Sequence, residues 1–174
     1  YLKRKLSAKT PLASINRHSH LLFVRLVDEK MTDAAALEKL RNDGHAIVKS
    51  VEDEKWESVT LNDHCNRADA LLAIAEGMLW GSYRFDKYKT PGDEPAVKLD
   101  RIAVVSSSVS QAMLDELLSV HQSVSLARDL INEPANILGP VEFATRLQDL
   151  EKLGATVEIL TEKEMRTLGM GALL

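Results

Sequence analysis

The sequence contains very little cysteine, few aromatic residues and no long hydrophobic run. Its 174 residues include a single cysteine, Cys65, which excludes an internal disulfide framework and fits a reducing compartment. No apolar stretch approaches the roughly 18 to 20 residues needed to cross a bilayer, and the basic opening YLKRKLSAKT does not read as a signal peptide. The net charge of −4 and pI near 5.8 give no global reason to expect nucleic-acid binding. We therefore expect a cytoplasmic chain with no membrane partner and no nucleic-acid partner.

Spacings that carry metal or nucleophilic chemistry are also missing. The histidines show no H-x-x-x-H or H-E-x-x-H pattern that would place two imidazoles on one helix face, and packing or surface roles explain all five: His18, His20, His45, His64 and His121. His18 and His20 would share one face of a strand, and His64 adjoins Cys65. No nucleophile elbow surrounds Cys65, so we interpret this residue as a small buried hydrophobic side chain.

Two weaker candidates for phosphate contacts are present. Gly169 and Gly171 form a two-glycine turn, which is too little for a phosphate cradle. The basic residues at the start are interpreted as a solvated strand or arm, in preference to a phosphate-contacting patch: Lys3, Arg4, Lys5 and Lys9. The residues alone therefore predict no catalytic, metal-binding or cofactor-binding side chain.

The apolar pattern predicts a mixed α/β chain. Strands are predicted at residues 20–27, 45–51, 99–106 and 155–160, whereas residues 52–63 are a loop or a weak edge strand. Helices are predicted at 32–42 with Gly44 beyond the end, at 66–83, at 110–132, from Pro140 to the terminator Gly154, and from the Thr161–Glu164 capping box to Gly169. The charged segment KTPGDEP, residues 89–95, is predicted to be a surface loop.

The junction between the third and fourth helices is the most distinctive feature. The long helix must end before Pro134, because a residue that precedes proline is pushed out of the α region. Pro140 then suits the first turn of a new helix, where its missing N–H would have had no partner. The chain starts with Tyr1 instead of methionine and ends on the apolar run MGALL, so we expect more structure to follow.

Three motifs resemble the leucyl (cytosol) aminopeptidase family. GSYRFDKYK, residues 81–89, resembles the family's G-x-Y-x-F-x-x-Y-K stretch, within which Arg84 and Asp86, or Asp86 and Lys89, are able to pair. ARDLINEPAN and the proline and Phe-Ala that follow, residues 127–144, resemble the family's R-D-L-x-N-x-P-A-N junction. LGMGALL, residues 168–174, is similar to the run that leads towards the family's catalytic centre.

The resemblance implies an α/β fold with three parts. Residues 1–109 would form an N-terminal α/β domain of the macro-domain type, and residues 110–133 a long connecting helix. Residues 134–174 would be the first helix–strand–helix of a second, catalytic α/β domain.

The resemblance also implies a function for the longer protein. Family members are metalloproteases, hydrolases that release N-terminal amino acids from peptides with two divalent ions, zinc or manganese, and assemble as homohexamers. The ligands lie in G-K-G-x-x-x-D-x-G-G and N-T-D-A-E-G-R motifs, and neither occurs in this sequence. No catalytic, metal-binding or cofactor-binding residue is therefore carried over, and the metals are expected outside residues 1–174.

Two expectations and one alternative follow from this interpretation. Residues 1–174 alone should be inactive, and the remaining catalytic domain should cover an apolar face that includes Val141, Phe143, Leu147, Leu173 and Leu174. The alternative is a non-catalytic module that binds a nucleotide or contacts DNA.

Overall fold

The computed structural model describes residues 11–90, residue 92 and residues 98–174. Two compact units are present, Tyr1–Ser125 and Leu126–Leu174, and the boundary falls within a long helix. The basic residues Lys3, Arg4, Lys5 and Lys9 lie outside the described residues, as does most of the predicted loop at 89–95. No helix of the described part is long and apolar enough to span a bilayer.

Among the described elements, the first unit begins with two strands and then alternates between helices and strands, and the second unit is helical. The strands are β1 (Leu12–Asn16), β2 (Leu21–Arg25), β3 (Ser58–Asn62) and β4 (Arg101–Val105). The α-helices are α1 (Ala34–Asp53), α2 (Ala68–Gly81), α3 (Gln111–Asn132), α4 (Pro140–Gln148) and α5 (Glu162–Thr167). Short 3-10 helices cover Asp149–Leu153 and Gly171–Leu173.

The four described strands form two separate pairs. β1 and β2 are antiparallel, with Ser14 opposite Phe23, and a tight turn at His18 joins them. β3 and β4 are parallel, with Thr60 opposite Ala103, and the segment between them includes α2. This arrangement confirms the predicted strands at 20–27 and 99–106 and resolves residues 58–62 of the ambiguous 52–63 segment as a strand. His18 lies in the turn, so it does not share a strand face with His20.

The core of the first unit lies between helices α1 and α2. Asp33 caps the N-terminus of α1, because its side chain accepts a hydrogen bond of 2.7 Å from the backbone N–H of Ala36. Seven of the 14 residues of α2 are buried, and all seven are small or apolar: Ala70, Leu71, Ala73, Ile74, Ala75, Gly77 and Met78. The core cluster contains nine residues: Leu40, Ile47, Val48, Val51, Ala70, Ala73, Ile74, Met78 and Leu99.

Two glycines allow the backbones of these helices to touch. A Cβ atom at Gly44 of α1 would lie 2.2 Å from the carbonyl oxygen of Ile74, and one at Gly77 of α2 would lie 2.0 Å from that of Arg41. Real side chains do not approach backbone atoms so closely, so each position requires glycine. Gly81 continues the contact, since a Cβ there would lie 2.7 Å from Nδ1 of His45.

This contact corrects two sequence predictions. The first helix was predicted to end at residue 42 with Gly44 beyond its end, but α1 continues through Gly44 to Asp53. The predicted strand at 45–51 is therefore helical. Ile47, Val48 and Val51 are the apolar residues that suggested a strand, and they instead form the face of α1 that packs against α2. Tertiary packing therefore overrides the terminating preference of glycine at this position.

The second unit confirms most of the predicted helices. α4 begins at Pro140, Gly154 has the left-handed backbone of a helix terminator (φ 89°), and Thr161 and Glu164 form the capping box of α5. The predicted strand at 155–160 is wrong: these residues are not in a strand. A strand needs a neighbour for its backbone hydrogen bonds, and no other extended segment of this unit pairs with it.

Four of the five apolar side chains that were predicted to be exposed in the second unit are exposed. Val141 is 73% exposed and Leu173 is 68% exposed, and Phe143 and Leu174 are exposed as well. Leu147 differs from the prediction, because it is half-buried. The described residues of this unit therefore present apolar surface to solvent, which is costly when it is left uncovered.

The helix contact predicts a strong penalty for a single added methyl group. Gly44→Ala and Gly77→Ala should each destabilise the chain by about 2 kcal/mol or more, because overpacking exceeds the roughly 1 kcal/mol gain in helix propensity. Gly171→Ala is the matched control, since its Cβ would meet no atom within 4 Å. Urea unfolding followed by circular dichroism measures all three; a loss no larger than that of the control would contradict the close contact.

Candidate functional site

The carboxyl ends of the parallel strands β3 and β4 bring polar residues together. Asp63 follows β3, and Ser106, Ser107 and Ser108 follow β4. Parallel strands end at the same edge of a sheet, and ligands of α/β proteins often bind at that edge. The backbone N–H of Asp63 donates to the carbonyl oxygen of Val105 (3.0 Å), which holds the two loops side by side.

Asp63 is the centre of this cluster. One carboxylate oxygen accepts hydrogen bonds from Oγ of Ser106 (2.9 Å) and Oγ of Ser108 (2.8 Å). The other accepts from the backbone N–H of Cys65 (2.9 Å), and Ser107 donates to Oδ1 of Asn66 across the same pair of loops (2.9 Å). The carboxylate therefore ties the turn after β3 to the loop after β4.

These hydrogen bonds keep Asp63 charged. Burial by itself would raise the pKa of its carboxyl group, but the hydrogen bonds from Ser108, the Cys65 backbone, Ser106 and the Arg67 backbone together outweigh burial and lower the pKa to about 2. A group with so low a pKa is a poor general base near neutral pH, because it holds a proton too weakly. Asp63 is therefore a structural anchor of the loops.

The candidate residue Cys65 from the sequence analysis does not form a reactive site with the Asp63 cluster. Cys65 is exposed, so the prediction that it is a buried hydrophobic side chain is wrong. It occupies the turn after β3, where its backbone N–H and not its thiol makes the contact with Asp63. Within residues 11–90, 92 and 98–174, no three His, Cys, Asp or Glu side chains are grouped so that they could hold a metal ion. That no residue of this chain binds a metal stays a prediction.

The GSYRFDKYK segment packs against α1. Arg84 forms an ion pair with Glu52 of α1, whose side chain is only 11% exposed, and Nζ of Lys89 lies 2.6 Å from Oδ1 of Asp86. The predicted Asp86–Lys89 pair is thus present, whereas Arg84 pairs with Glu52. The Phe85 and Tyr88 rings contact each other with centroids 5.8 Å apart. The segment is a structural connection between the end of α2 and the end of α1.

The junction between α3 and α4 is held by a buried carboxylate. The Glu133 side chain is 2% exposed, and its Oε1 accepts from Nη1 (3.3 Å) and Nη2 (3.4 Å) of Arg146 on α4. The carbonyl oxygen of Pro134 accepts from the backbone N–H groups of Ile137 (2.8 Å) and Leu138 (3.0 Å). The turn and the ion pair together fix how α4 leaves the end of α3.

The Asp63 cluster predicts a pH-dependent loss of stability. Asp63→Asn keeps the size but removes the charged acceptor, which should cost about 1–3 kcal/mol near neutral pH. Because the pKa is lowered from 3.8 to about 2 in the folded chain, this stabilisation is present above about pH 4 and is lost as the pH falls towards 2. Urea unfolding of both proteins at several pH values should show the difference shrinking with acidification. Asp149→Asn, at an exposed pair with Lys152, is the control; a pH-independent difference would show that charge is not the cause.

The junction predicts unequal effects for two arginines of the second unit. Arg146→Met should cost about 1–3 kcal/mol, because it removes the Arg146 ion pair from a buried carboxylate. Arg166→Met removes an exposed i,i+4 pair with Glu162 and should cost less than about 1 kcal/mol. Thermal unfolding followed by circular dichroism compares them, and equal losses would contradict a specific role for Glu133.

Comparison with known proteins connects these elements to a family. The model of the cytosol aminopeptidase family, catalytic domain, matches residues 125–174. A protein named probable cytosol aminopeptidase from Rhizobium etli is 50% identical over 112 residues, which are 62% of this chain and 22% of that protein. A protein of the same name from Sinorhizobium medicae is 52% identical over 111 residues, which are 60% of this chain and 22% of that protein. The chain thus spans about a fifth of the length of these relatives.

A solved structure shares the fold. A tomato leucine aminopeptidase variant superposes with a TM-score of 0.69 at 15% identity, over 91% of this chain and 33% of that one. At so low an identity the likeness concerns the fold alone, and it agrees with the mixed α/β architecture described above. The match over residues 125–174 and the identities near 50% over about three fifths of the chain show that this chain is similar to the leucyl (cytosol) aminopeptidase family.

Proposed function

We propose that residues 1–174 are part of a longer leucyl-type metallo-aminopeptidase that releases N-terminal amino acids from peptides. The observation that carries this proposal is the match of residues 125–174 to the family's catalytic domain. The identity of about 50% to proteins named cytosol aminopeptidase supports the same reaction class. The hydrolytic activity is a property of the longer protein, in which these residues act as scaffold.

The proposed domain organisation follows the three predicted parts. Residues 1–109 are the N-terminal α/β domain, residues 110–133 the connecting helix, and residues 134–174 the start of the catalytic domain. Helix α3, at Gln111–Asn132, supports the connecting role because 22 residues extend about 33 Å. The turn at Pro134 and the Glu133–Arg146 pair support the start of a new domain there.

The described residues do not fit a metal centre. Similarity to this family implies metal dependence, yet no suitable group of His, Cys, Asp and Glu side chains is found in the described part of the chain. The G-K-G-x-x-x-D-x-G-G and N-T-D-A-E-G-R motifs are missing from all 174 residues. We infer that two divalent ions, zinc or manganese, bind to sequence outside residues 1–174.

The remaining parts of the proposal concern partners and location. Peptides are the substrates, and the rest of the catalytic domain covers the apolar side chains near Val141 and Leu173. The assembly is a homohexamer in the cytoplasm. A nucleotide-binding or DNA-contacting role is less well supported, because an anionic phosphate at the carboxyl ends of β3 and β4 would meet the charged carboxylate of Asp63.

The proposal predicts that activity requires the longer protein. Purified residues 1–174 should neither hydrolyse leucine p-nitroanilide nor bind Mn²⁺ or Zn²⁺ tightly. The longer natural product that contains them should hydrolyse the substrate, lose activity on chelation and regain it when Mn²⁺ or Zn²⁺ is returned. Steady-state assays and calorimetric metal titrations provide the measurement, with both proteins produced in a host that lacks its own leucyl aminopeptidase.

Two outcomes would contradict this assignment. Hydrolysis of the substrate by residues 1–174 would place the catalytic residues in this chain. A longer protein that shows no peptidase activity with Mn²⁺ or with Zn²⁺ would contradict the proposed aminopeptidase activity. Binding of a hydrophobic dye gives a second readout. The dye should bind to the exposed apolar side chains of residues 1–174, and it should not bind to them in the longer protein, where the rest of the catalytic domain covers them.

A further inference from the structure

We draw no further inference here: the strongest candidate, the cluster of Asp63, Ser106 and Ser108 beside the exposed Cys65 at the carboxyl ends of β3 and β4, belongs to the site already described, and its hydrogen bonds join loops of this chain without pointing to a ligand.

Discussion

The first unit depends on the direct contact between the backbones of α1 and α2. Gly44 and Gly77 each face a carbonyl group of the opposite helix at a distance that admits no side chain. This approach brings Leu40, Val48 and Met78 into the centre of the core, where they are almost completely buried. The strand pairs then pack on a helix pair whose spacing is already fixed. Glycine costs helix propensity at both positions, and the cost is offset by the apolar area that the close approach buries.

The same contact explains which elements could be predicted from the sequence. Helices α2, α3 and α5 carry local signals, namely an apolar stripe, a proline after the end and a capping box, and their positions were predicted to within a few residues. The continuation of α1 through Gly44 could not be predicted, because the reason lies on another helix. The apolar run at 45–51 has the composition of a strand, and only its packing against α2 shows that it is helical. Periodicity alone does not separate these cases.

The candidate site shows the same limit more strongly. Asp63 and Ser108 are separated by 45 positions in the sequence, and only the parallel pairing of β3 with β4 brings them together. Polar residues that follow parallel strands lie at the same edge of a sheet. This rule would have predicted the cluster from the sequence if residues 58–62 had been predicted as a strand. Cys65 was misjudged for a related reason: its exposure follows from the turn that Asp63 organises, and nothing in its neighbouring residues indicates that turn.

The junction motif that resembles the aminopeptidase family has a physical explanation. Pro134 ends α3 and its carbonyl oxygen accepts two backbone N–H groups of the following turn, while Pro140 starts α4. Glu133 is buried against Arg146, which lies thirteen residues further along the chain. Each of these residues therefore shapes the backbone, and none of them needs to touch a substrate. Residues that shape the backbone in this way indicate a shared scaffold. Their resemblance to the family motif therefore assigns no catalytic role to these residues themselves.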